Sequence, residues 1–472
     1  MRETDEALQT GGLVQSVDYT GEWWLPQDPG QRVAGVLHFT GSDAPRLMLI
    51  GSFRDSSTMG QAFRTPIILG ETDRASQVTL YGCLETRTTL GTLYTAEFVA
   101  EAILEGHHFE TRESVAFRSL SVSYDNLIDW TGVSGLRTTV ERLENGLRLG
   151  SSYQAPADFA VHVSGRTIRL EHHFTASGSR TGRLLWEQQS FVEVEPQDPT
   201  TLERLLADTF YHIRNFISLG VGKPVRERAV QGEVGGTQNE ERVRVKVYYP
   251  VVGGESESGT IHPGNMLFSL RDIAESYEGC LAAWFQKAET LRPVYDLYFA
   301  TLFSPSMFLE THFLNLAQAA ESYHRRTRAT ALMPAGPFAE VLSMLRATLA
   351  QSGLSKELHD ALSAKLQYLN EPALRRRLEE LLKELTDLAT TFIPNQVTFA
   401  RSVADTRNYH THYSPELEAK AARGSQMLTL VEQLTFLLQA CFLVEMGLPR
   451  DKIAALLDRN QRIAYFRTRF QS

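Results

Sequence analysis

Residues 393–416 read IPNQVTFARSVADTRNYHTHYSPE, and seven consecutive positions of this stretch gather Arg407, Asn408, Tyr409, His410, His412 and Tyr413. No other window concentrates so many groups able to move protons or hold a phosphate. A helix is predicted over 394–411, and Pro415 disfavours helix at Ser414, so the helix should end near His412. Helical periodicity surrounds it on both sides. From Met266 almost to the end, candidate helices fall at 269–288, 291–302, 306–325, 336–351, 355–369, 371–390, 416–447 and 449–459, followed by a basic tail at 465–470. No fixed repeat links them, which argues against a solenoid, and an all-α bundle of long helices fits best.

The N-terminal side has another period. From about Asp18 to Val194, apolar residues alternate or fall in short runs bounded by Gly, Asp, Ser and Pro, as in VAGVLHF (33–39), LMLIGSF (47–53) and TIRLEH (167–172). Turn signals recur too closely for crossover helices, so an antiparallel sandwich or barrel is predicted. In GEWWLP (21–26), adjacent strand residues face opposite sides. Trp23 and Trp24 therefore cannot share one core, and one of them should pack on a neighbouring sheet or domain, or serve as a recognition surface. Leu202, Leu205, Leu206, Phe210, Ile213, Phe216 and Ile217 recur at helical spacing, predicting a helix over 199–219 that stops at Gly220. RVRVKVYY (242–249) alternates again, and the Gly-rich GGESESGTIHPG (253–264) is the expected boundary. The reading is an α+β multidomain protein: a β-rich domain over 1–255, then an all-α domain over 256–472.

Composition narrows the function. With 42% hydrophobic and 22% charged residues, the chain is globular rather than disordered. A net charge of -9 argues against a generally basic, nucleic-acid-coating protein but leaves room for a local basic site. Cys83, Cys280 and Cys441 are too scattered for a zinc pair or a disulfide framework, which fits a reducing cytosol. The N-terminal MRETDEALQTGG is polar and acidic, and no run of 18 apolar residues follows, so a cytoplasmic protein without membrane association is expected. Phosphate-cradling G-x-x-x-x-G-K-[ST] patterns are absent.

The residues at 407–412 suit one chemistry well. RNA carries its own nucleophile, so cleavage needs a proton taken from the ribose 2′-oxygen, one given to the leaving 5′-oxygen, and charge offset at the phosphoryl oxygens. Histidine titrates in the right range, arginine offers a planar fork matched to phosphate, and no metal or cofactor is required. Asn408 could hold a phosphate oxygen or orient Arg407. Five residues separate Arg407 from His412, about 140° on a regular helix, so the last turn has to loosen to bring the histidine round. The plain alternative is that His410 and His412 only cap the last carbonyls.

Arg407-Asn408-Tyr409-His410-Thr411-His412 matches the R-x-x-x-x-H motif of HEPN ribonucleases, with the polar residue that usually follows the arginine. Together with FLETHFLNLAQAAESYHR (308–325), GEWWLP, VAGVLHF and LMLIGSF, the chain resembles the ApeA family of bacterial anti-phage proteins over both halves. The resemblance implies a metal-independent endoribonuclease that aborts phage infection by cutting host or phage RNA, with tRNA a candidate. It implies a homodimer whose two motifs face one cleft, so that Arg407 of one chain serves with His412 of the other. Arg407 then meets phosphate or transition-state charge, His412 transfers a proton, and Asn408 is the accompanying polar group. His410 and Tyr409 are auxiliary. The β-rich domain is expected to sense a phage-derived trigger or hold the nuclease inactive. The competing reading is a non-catalytic RNA- or protein-binding scaffold.

Weaker signals sit nearby. Glu321, Tyr323 and Arg325 could line an RNA cleft, with the tyrosine and arginine stacking on nucleotides, or simply end a solvated helix. Arg375-Arg376-Arg377, among Glu371, Glu379 and Glu380, reads as an ion-paired face. Arg214-Asn215 copies the start of the motif without its histidine, and the pairs His107-His108 and His172-His173 point to opposite strand faces.

Overall fold

The computed structural model describes residues 16–54, 62–89, 94–178, 184–235, 242–251, 259–328 and 331–470. The N-terminal MRETDEALQTGG and residues 253–258 of the Gly-rich stretch lie outside them. Contacts divide the chain into two units, 1–285 and 286–472.

In the first unit, six antiparallel strands close on themselves. They are β1 (Val17–Leu25), β2 (Asp28–Phe39), β3 (Arg46–Ile50), β4 (Arg64–Thr72), β5 (Gln77–Thr89) and β6 (Thr95–Val99). The pairing β1-β2-β3-β6-β5-β4 returns to β1, so the predicted sandwich or barrel is a closed barrel with no free edge. Alternation dictates its inside: Leu47 and Leu49 are buried between exposed Arg46, Met48 and Ile50. From β5 the sheet continues outward through Ala102–Glu105, Val243–Tyr248, Glu227–Val234, Ser119–Tyr124, Leu184–Pro196, Arg166–Gly178 and Phe159–Val163.

Both tryptophans of GEWWLP are buried, on opposite sides as strand geometry requires. Trp23 belongs to the barrel core. Its indole lies against Gly70 and Gly35 of the flanking strands, where a Cβ would come within 2.3 Å and 3.1 Å of the ring. Trp24 packs edge-on against His108, ring centroids 5.3 Å apart, with the Arg32 guanidinium 4.2 Å above it.

The expected helix near 199–219 appears as a short turn at Leu202–Arg204, a π-helical segment at Leu205–Phe210 and α1 (Tyr211–Val221). It stops at Gly222, in the left-handed conformation at φ 76°, rather than at Gly220. Gly220 serves packing instead, since a Cβ there would sit 2.5 Å from Trp130 Nε1.

The second region is helical, as predicted. Its main helices are α2 (Tyr277–Phe303), α3 (Leu309–Thr327), α4 (Ala335–Ala350), α5 (Lys356–Leu366), α6 (Leu374–Glu384), α7 (Gln396–His412), α8 (Ser425–Glu445), α9 (Arg450–Arg459) and α10 (Gln461–Phe470). The breaks differ from the sequence reading: the expected helix 269–288 is divided after Ile273, and the expected helix 371–390 at Leu385. α2 runs through Pro293, because buried Leu291, Val294, Tyr295 and Tyr298 hold the helix together where proline removes one hydrogen bond. The expected helix 416–447 is interrupted at Gly424, whose φ of 52° and ψ of -122° suit only glycine. α8 is long and apolar enough to cross a membrane by composition, yet 72% of its most apolar window is buried inside the protein, as for a core helix.

Candidate active site

α7 is fixed at both ends and along one face. At its start, Asn395 Oδ1 accepts the Thr398 amide at 3.0 Å. Phe399, Ala400, Val403 and Thr406 form its buried stripe, and Thr406 Oγ1 accepts the Ala422 amide at 2.9 Å. At its end, Tyr413 takes the left-handed conformation at φ 50° and its amide donates to Tyr409 O at 2.6 Å. Ser414 is then extended before Pro415, which opens the turn Pro415–Glu418.

The other side of α7 carries the motif. The Arg407 guanidinium donates to Glu321 Oε2 of α3 at 2.9 Å and to Asn408 Oδ1 at 3.1 Å. The Glu321 side chain is only 11% exposed and also receives Arg325 at 3.4 Å, so one shielded carboxylate orients two guanidinium groups. Arg407 itself stays 29% exposed. It is held in place without being sealed off, and a phosphate could still reach it.

The helix remains regular through His412, so the last turn does not loosen. Within one chain, Arg407 and His412 therefore project about 140° apart, and His412 stands exposed at the helix end. His410 faces differently: both ring nitrogens are shielded and have no hydrogen-bond partner, and the ring lies edge-on to Tyr409 and Tyr413 at 5.0 and 6.0 Å. Arg423 approaches the Tyr409 ring at 5.7 Å and pairs with Glu418 at 2.7 Å.

Of the residues singled out at the end of α3, the structure brings Glu321 and Arg325 to Arg407 but not Tyr323. Tyr323 is 1% exposed, burial pushes its phenol upward, and its hydroxyl donates to Glu445 Oε1 at 2.9 Å. It is a core residue rather than a stacking platform. Arg375 and Arg376 make the expected i,i+4 ion pairs with Glu379 and Glu380, each at 2.8 Å. Arg377 does not join that solvated face. It is 2% exposed, donates to Pro372 O at 2.9 Å, and lies 3.3 Å from His324 Nδ1 and 3.6 Å from Glu371. Burial lowers the pKa of His324, whose Nε2 meets Glu380 at 2.9 Å. A signal for this buried cluster existed: Arg377 falls between Leu374, Leu378 and Leu381 on the apolar stripe of α6.

The other histidine pairs and the motif copy are structural. His108 contacts Gly70 O at 2.8 Å, and His172 contacts Ser190 Oγ at 2.9 Å, while their neighbours His107 and His173 pack against Phe109 and Phe191. Asn215 is fully buried between Ile213 and Phe216 in the first unit.

Two family models match the chain. The ApeA N-terminal domain 1 covers residues 18–284, and the Apea-like HEPN domain covers residues 314–452, including Glu321, Arg407 and His412. No curated protein and no solved structure matches it. An ApeA-like HEPN domain suggests a nuclease in anti-phage defence, since HEPN domains generally imply ribonuclease activity. The N-terminal match alone spans more than half of the 472 residues, and the chain belongs to the ApeA family.

Proposed function

We propose that this protein is a metal-independent HEPN endoribonuclease that aborts phage infection by cutting RNA, with tRNA the first substrate to test. The observation that carries this reading is the Arg407 guanidinium, aimed by Glu321 and Asn408 yet partly open to solvent, about 1.4 helix turns from an exposed imidazole at His412. Arg407 offsets charge on the phosphoryl oxygens, and His412 transfers the proton between the 2′-oxygen, solvent and the leaving 5′-oxygen. The products are a cyclic phosphate and a 5′-hydroxyl. Because a regular helix turns Arg407 and His412 apart, the complete site takes Arg407 from one chain and His412 from a second. The β-rich domain acts as the sensor or brake that keeps the enzyme silent until a phage-derived trigger arrives. A chain lacking residues 1–250 that keeps trigger-dependent toxicity would remove that role.

The test is RNA cleavage and host toxicity with Arg407→Ala and His412→Ala. Each substitution should remove toxicity and slow cleavage about 100- to 1,000-fold with oligomer size unchanged. His412→Ala should leave the melting temperature unchanged, and Arg407→Ala should lower it because Glu321 loses that partner. Mixing the two inactive variants should restore about a quarter of the activity, since half the dimers are mixed and each has one intact composite site. Full activity in either single variant removes that residue from the site and favours the scaffold reading. Loss in both without recovery on mixing refutes the shared cleft.

A further inference from the structure

Helices α4 and α5 form a hairpin in which no residue is buried. Short helices draw most of their stability from packing an apolar face, so a two-helix hairpin without a buried residue is incomplete. Its sequence is nevertheless apolar. Leu332, Met344, Leu358, Leu362, Tyr368 and Leu369 are each 36% to 61% exposed. Leu358 and Leu362, four apart on α5, share one face. Together the six leave on the order of 600 Å² of apolar surface uncovered along the hairpin.

The hairpin is firmly rooted. Asn370 closes its base: Asn370 O accepts the Leu332 amide at 3.0 Å, Asn370 Oδ1 accepts the Met333 amide at 2.9 Å, and its side-chain amide donates to Met333 O at 3.0 Å. The next residue, Glu371, pairs with Arg325 at 2.9 Å, and Arg325 shares Glu321 with Arg407. The arm therefore ends three ion pairs from the candidate catalytic arginine.

We propose that this hairpin is the arm by which a second copy of the chain docks. Two observations favour a second copy over an unlike partner. Residues 331–369 balance Glu340, Glu357 and Asp360 against Arg346, Lys356 and Lys365, so the arm is neutral although the whole chain carries -9. Like copies approaching through this surface avoid the repulsion that other faces would impose. Two arms related by a twofold axis would also bury on the order of 1,200 Å² in a four-helix arrangement, the lower limit for a stable interface. For its consequence in cleavage, though not for docking itself, the inference rests on the shared-cleft reading above: docking places His412 of one chain near Arg407 of the other.

The experiment is sedimentation velocity on the full-length protein and on Leu358→Glu/Leu362→Glu, with Met344→Glu as an independent variant on the other helix of the arm. Because these side chains are exposed in the single chain, each variant should keep the helical circular dichroism of the wild type, and its melting temperature should drop only by what the lost association contributed. The wild type should be dimeric, and each variant should weaken the dimer at least about a hundredfold. Dimers that persist in all variants, or a wild type that stays monomeric, overturn the inference, and the second outcome would assign the arm to an unlike partner. RNA cleavage is read separately. If the variants are monomeric and the wild-type dimer cleaves no RNA, the arm stands and the nuclease reading falls. If dimers persist and every form cleaves RNA, the nuclease stands and the arm falls.

Discussion

Replacing Glu321 by glutamine keeps the shape of the side chain and removes the charge that aims Arg407. The contact is 2.9 Å between side chains that are 11% and 29% exposed. A charge-assisted hydrogen bond of this kind contributes about 1.5–3 kcal/mol when shielded, and partial exposure of Arg407 reduces that to about 1–2 kcal/mol. If this energy holds the guanidinium where transition-state charge develops, its loss slows cleavage roughly 5- to 30-fold, at about 1.4 kcal/mol per factor of ten. Glutamine can still accept one hydrogen bond, so about tenfold is the central value. The loss should fall on kcat with KM little changed, because a group meeting charge in the transition state adds little to ground-state binding. Melting temperature should drop by roughly 2–8 °C. The decisive measurement is a double-mutant cycle with end-labelled RNA: Glu321→Gln added to Arg407→Ala should cost nothing further. Wild-type cleavage in Glu321→Gln, or losses that multiply in the double variant, would refute a positioning role for Glu321.

Three further outcomes are expected. Tyr323→Phe, which removes the hydroxyl donated to Glu445, should cost about 1–2 kcal/mol in denaturant unfolding and leave cleavage intact; lost cleavage at unchanged stability would return the ring to the RNA path. Burial holds His107, His172, His312 and His324 below the ordinary value of 6.5, so as pH falls the unfolded chain takes up protons first. The stabilisation they contribute is complete above 6.5 and is lost on acidification through 6.5 towards the folded values, so unfolding midpoints should fall from about pH 7 to about pH 5, and less steeply in His324→Asn. Gly70→Ala would put a Cβ 2.3 Å from the Trp23 ring and should destabilise the barrel by about 1–3 kcal/mol, with a shift in near-ultraviolet circular dichroism; an unchanged midpoint would contradict the packing of Trp23 on Gly70.

Periodicity by itself determined the division of this chain into a strand region and a helix region, because periods of two and 3.6 are written by which residues are apolar. It also located the end of α7, since proline constrains the residue before it wherever the chain folds. Local signals could not show that six strands close into a ring, because closure depends on pairings such as β1 with β4 that join distant segments. They could not show that Pro293 lies inside a helix, where burial of its neighbours outweighs a local penalty. At the candidate site, the residue types at 407–412 were legible because proton transfer and phosphate binding call for particular side chains. That Glu321 aims Arg407, that Tyr323 turns into the core and that Arg377 lies buried beside His324 were decided by tertiary structure alone. Each depends on how α3, α6 and α7 rotate about their axes as they pack, and that rotation is set by the whole bundle.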